Sequence, residues 1–183
     1  MTMPERGDDM SDSYEFENNA RDDMGSVNHG LTQARLAAAL IDDERFSVVT
    51  ELSLDISKFD LGNYGIEAKD EIKPGVCLYP SSIDLREFDV VKMTDMPLLA
   101  MEILSPSQGI PELKRKIHAF FELGVKSCWL VIPDVKTIYV YSQPTEYGVF
   151  AMDDTQVVDE VMDIRLPIAK VFGRREVRTV ADN

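Results

Sequence analysis

The sequence predicts an α/β fold, a mixed β-sheet flanked by helices, and three observations lead there. Two dense apolar runs, Leu98–Leu104 and Cys128–Ile132, read as buried strands, each stopped by a proline-containing turn. Between them, residues 112–123 carry apolar side chains at helical spacing and end at Gly124, a residue suited to the left-handed position after a helix. After the second run, the tight turn Asp134-Val135-Lys136 leads into Thr137–Tyr141, an expected antiparallel neighbour. Strands alternating with a crossover helix imply one mixed sheet with helices packed on it.

The remaining elements follow in chain order. Residues 1–12 are polar, acidic and aperiodic and are expected to form a disordered tail, leaving 13–183 as the domain. Tyr14–Glu17 alternates aromatic with acid, as an edge strand would, and Asp22–Ser26 reads as a turn. A first helix is expected from Ser26 or Asn28 to Asp43, with Leu31, Leu36, Ala37, Leu40 and Ile41 on one face. Phe46–Ser57 alternates as a half-buried strand, and Lys58–Pro74 reads as a loop or ragged hairpin. Val76–Tyr79 is a short strand stopped by Pro80, and Asp84–Asp95 is a polar excursion. Short strands are expected near Val149 and Val157, and one helical turn over Ile168–Phe172.

Composition sets the bounds. A chain of 183 residues with 44% hydrophobic content suits one domain with a real core. No apolar run reaches membrane-spanning length, and the start lacks a basic and apolar leader, so the expected setting is cytoplasmic. Cys77 and Cys128 match no metal or redox spacing and are expected to be buried, reduced thiols. With 33 acids against 19 bases the formal charge is −14, which disfavours tight nonspecific DNA binding. A local basic strip remains available at Lys114-Arg115-Lys116 and Arg174-Arg175.

Glu102 interrupts the densest apolar run in the chain. An unpaired carboxylate projecting from a central strand would cost several kcal/mol, so it must find a cation, hydrogen bonds or a metal, or hold a proton. The following helix supplies a candidate. Taking Leu113 as zero, Ile117 falls at about 40°, Phe121 at about 80° and Phe120 at about 340°, which defines the apolar arc. Lys116, at about 300°, lies inside that arc, whereas Arg115 and His118 fall on the solvent side. Two other readings stand beside an active pair: Lys116 snorkelling to water, and a purely structural ion pair.

Met101-Glu102-Ile103-Leu104-Ser105-Pro106-Ser107, followed by Lys116-x-x-x-Phe120-x-x-x-Gly124-Val125-Lys126-Ser127-Cys128-Trp129-Leu130-Val131, resembles the Uma-two family of proposed restriction endonucleases, within the PD-(D/E)XK phosphodiesterase superfamily. Asn28-His29-Gly30 and Ile164–Ile168 extend the likeness over nearly the whole chain after residue 13. The resemblance implies a restriction-endonuclease-like fold and a metal-dependent DNA endonuclease. In that scheme an aspartate and a glutamate hold Mg²⁺, and a lysine helps stabilise charge on the phosphate. It also implies that Glu102 is the metal-binding glutamate and Lys116 the catalytic lysine; nucleases of this fold often pair to cut both strands, so a homodimer is one option and the oligomeric state stays open.

The departure is at the aspartate. Family members carry Pro-Asp at the start of the preceding strand, where this chain has Pro74-Gly75. Asp70, Glu71 and Asp89 are the outside candidates to replace it. The expected consequence is an impaired endonuclease, with a non-catalytic binding or regulatory role as the alternative. Other chemistries lack their motifs: there is no Gly-x-Ser-x-Gly elbow, no phosphate-cradling glycine loop and no His-Glu-x-x-His. His29 reads as a helix-start residue and His118 as solvated. Asp153, Asp154, Asp159, Glu160 and Asp163 lack calcium-loop spacing and read as a solvated face.

Overall fold

A computed structural model describes residues 25–65 and 71–173. The first twelve residues, the Tyr14–Glu17 strand, most of the Asp22–Ser26 turn, Asp70 and Arg174-Arg175 lie outside the described residues.

The main sheet has six strands in the order β1 (Phe46–Thr50), β4 (Val76–Pro80), β6 (Leu99–Ile103), β7 (Ser127–Ile132), β8 (Thr137–Gln143) and β9 (Glu146–Phe150). All neighbours are antiparallel except β6 and β7, which run parallel. That one parallel pair needs a crossover, and α2 (Ile110–Glu122) provides it. The sheet is therefore mixed, as the element order predicts. β2 (Ser53–Asp55), β3 (Glu71–Ile72) and β5 (Lys92–Met93) form a small second sheet, and β10 (Gln156–Asp159) pairs with β11 (Ile164–Pro167). The expected single strand over Phe46–Ser57 is split because Glu51 adopts a left-handed backbone, φ 52°, between β1 and β2.

Every residue of β6 and of β7 is buried, so these strands separate two cores. On one face Val76, Met101, Trp129 and Val140 pack with α1 (Val27–Leu40), α3 (Ile168–Phe172) and the β10–β11 hairpin. On the other, Cys77, Ala100, Cys128 and Leu130 pack with Leu113, Ile117 and Phe120 of α2. Cys77 and Cys128 each align with Ala100, one on either side, so two strand spacings separate them. That is about 10 Å, beyond disulfide reach. Both are free and buried, as expected.

Two expectations change. The first helix does not place its apolar residues on one face: Thr32, Leu36 and Leu40 are buried, whereas Leu31 and Ile41 are exposed. Asp159 is not on a solvated face but buried. Its Oδ2 accepts from Ser127 Oγ at 2.6 Å and Trp129 Nε1 at 2.7 Å, and its Oδ1 accepts from the amides of Val161 and Met162 at 3.0 Å each. Four donors satisfy this carboxylate without a cation, and the two on β7, Ser127 and Trp129, fasten the β10–β11 hairpin to that strand.

Candidate active site

Glu102 sits fourth in β6, and the pleat turns its side chain toward the α2 face, where Ala100 also lies. The Ser105–Gly109 turn then starts α2 at Gly109, with Pro111 in its first turn. Pro111 suits that place because its missing N–H has no helical partner there anyway. Lys116 follows on the inward side of the helix, as helical phase predicts.

The two side chains meet. Lys116 Nζ lies 2.8 Å from Glu102 Oε1, and it donates to the Lys73 carbonyl at 3.2 Å. Glu102 is 4% exposed, and apart from the Lys116 ammonium its Oε1 has no partner among the described residues. Burial pushes the Glu102 carboxyl above the ordinary range, Lys116 pulls it back, and Glu51 and Glu112 add to the upward push.

Gly75 immediately precedes β4. Val76 pairs with Met101 as the last pair of this antiparallel register, so Gly75 lies one residue beyond it, at the end of β6 that carries Glu102 and Ile103. A Cβ on Gly75 would meet the Met101 carbonyl oxygen at 3.4 Å and Ile103 Cδ1 at 3.7 Å, ordinary contacts, so there is room for a Cβ, which would lie against Ile103. The Gly75 carbonyl accepts from Gln33 Nε2 at 2.9 Å and from the Glu51 amide at 3.3 Å. Gln33 also bonds the Glu51 carboxylate.

Of the outside acids, Glu71 and Asp89 are engaged by other partners, and Asp70 lies outside the described residues. Glu71 lies 3.8 Å from both Lys73 and Lys92, and Asp89 accepts from the Val90 amide. Glu51 and Gln33, which no sequence pattern singled out, stand closer to the Gly75 end of the site. His118 is half-buried and not fully solvated. It lines an open depression of about 320 Å³ with Tyr64, Phe121 and Lys126.

Magnesium prefers near-octahedral oxygen coordination, with one or two carboxylates and several waters. Here Glu102 offers one carboxylate already facing an ammonium at 2.8 Å, and Gly75 offers none. No group of three or more His, Cys, Asp or Glu side chains converges among the described residues. These donors do not fit a resident magnesium ion.

With fold and site described, the chain can be placed among known proteins. Residues 14–169 match the model of the Uma2 family, described as "Putative restriction endonuclease", and the chain belongs to that family. Its fold is similar to the crystal structure of a putative nuclease belonging to DUF820 from Anabaena variabilis. The TM-score is 0.62 and the identity 20%, covering 81% of this chain and 82% of that one. No curated protein sequence matches this chain. No helix among the described residues is long and apolar enough to cross a membrane.

Proposed function

We propose that this chain is a nuclease-fold protein whose metal-dependent cleavage of DNA is impaired. The observation that carries this reading is Gly75, just past the last β4–β6 pair of Val76 with Met101, where glycine supplies no carboxylate to help hold a cation. The charge count points the same way. One carboxylate and one ammonium at 2.8 Å cancel, so the pair offers little net attraction to either a dication or a phosphate. Lys116 would be the group to stabilise a phosphate, yet it is engaged by Glu102 and the Lys73 carbonyl. The overall charge of −14 further disfavours a tight DNA complex and favours a binding or regulatory role.

The test is cleavage of supercoiled plasmid and of linear duplex in Mg²⁺ and in Mn²⁺. The reading expects no cleavage above that of a Glu102→Ala control. Cleavage by the natural chain that disappears in Glu102→Ala would overturn it.

A further inference from the structure

α1 is apolar on two opposite sides. Thr32, Leu36 and Leu40 face the core. Val27, Leu31, Ala34, Ala38 and Ile41 are all exposed, with Val27 at 76%, Leu31 at 49% and Ile41 at 66%. Their spacing of four, three, four and three residues gathers them into an arc of about 80°, directly opposite the buried face. This is the period of a helix–helix seam. The strip spans about 21 Å. Asn28 Nδ2 bonds Asp134 Oδ1, which brings the β7–β8 turn, with Val135 65% exposed, beside the start of the helix.

We propose that a second copy of this chain docks on that strip, the two α1 helices packing antiparallel about a two-fold axis near Ala34. Charge selects the partner. Arg35 is the lone charged residue from Val27 to Ile41, in a chain carrying 33 acids, so two copies meet here without setting acids against acids. The antiparallel arrangement adds a complementary contact at each end. α1 has no acid in its own first turn, and Asp42, beside the strip just after the helix, comes next to the N-terminal turn of the second copy's α1. Sizes also match: Leu31 falls against the small Ala38 of the second copy, and the two Ala34 residues let the helices approach. One helix pair buries less than the roughly 800 Å² per partner of a standard interface, so the dimer is weak, with a dissociation constant in the micromolar range.

Sedimentation equilibrium of the full chain, from low to several hundred micromolar, tests this directly. The average mass rises from one chain toward two, and Leu31→Glu with Ala34→Glu weakens association at least roughly tenfold at unchanged Tm. An Ala34→Cys variant gives a second readout, because the native thiols are buried. Mild oxidation links two chains through residue 34, and a Thr145→Cys control does not link at the same rate. A single-chain mass at every concentration overturns the proposal. The introduced thiol then names what is there instead: resistance to reagents shows another part of the same chain covering the strip, and free reactivity shows the strip bare. A dimer indifferent to the Leu31 and Ala34 substitutions also overturns it.

Discussion

Lys116 reaches Glu102 from the helix that follows its strand, and the 2.8 Å between Nζ and Oε1 is the link between β6 and α2 at the centre of the domain. The carboxylate has little else: no directed hydrogen bond reaches Oε1, and almost no water does. Removing the lysine therefore takes away the one group that favours the charged carboxylate, which must then stay buried and unpaired or take up a proton.

Lys116→Met is expected to lower stability by about 3–5 kcal/mol at neutral pH, the cost of breaking one side of a buried pair. Adding Glu102→Gln recovers most of that loss. Urea unfolding of the two single variants and the double variant measures the coupling, and additive effects would show that the pair does not interact.

The pH dependence has a definite sign. Glu102 titrates above its unfolded value of about 4.3, because burial outweighs the lysine. Its folded form thus favours the proton. The stability this provides is complete below the unfolded value and is lost as pH rises through the raised folded value. Relative to Glu102→Gln, the natural chain should lose stability over that interval. A difference curve flat from mildly acidic to neutral pH would contradict it.

Asp159→Asn is expected to cost about 2–4 kcal/mol, since an amide nitrogen would face one of the donors now bonded to the carboxylate. Trp129, the single tryptophan, donates to Asp159 and reports the change by fluorescence. Unchanged emission and Tm would remove Asp159 from the fold's support.

The thiols should be inert in the folded protein. Burial pushes Cys77 up to about 12 and Cys128 well above its usual value, so neither forms thiolate at neutral pH. A disulfide reagent is expected to label neither residue until denaturant is added. Fast labelling of the folded chain would show that one strand face opens.

Much of this was legible in the residues. The runs Leu98–Leu104 and Cys128–Ile132 announce buried strands because continuous apolar runs are buried on both faces, and helical phase separates Lys116 from Arg115. Asp159 was misread because local sequence shows an acid among acids. Its donors on Ser127 and Trp129 come from about thirty residues away, and only the fold brings them together. α1 was misread because apolar residues on two opposite sides look like one broad face when counted along the chain. Glu51 and Gln33 escaped notice for a related reason: their place near Gly75 depends on a left-handed kink at Glu51 and on helix docking. Neither leaves a periodic trace.

On the proposed reading Gly75 leaves the site short of a cation ligand, which calorimetric titration of Mg²⁺ and Mn²⁺ checks at the site itself. The natural chain is expected to bind neither ion with measurable heat at millimolar concentration. Gly75→Asp, whose Cβ meets only ordinary contacts, should be less stable without metal and gain both affinity and Tm when metal is added. Metal binding by the natural chain that Glu102→Ala abolishes, and that Gly75→Asp leaves unimproved, would contradict the account.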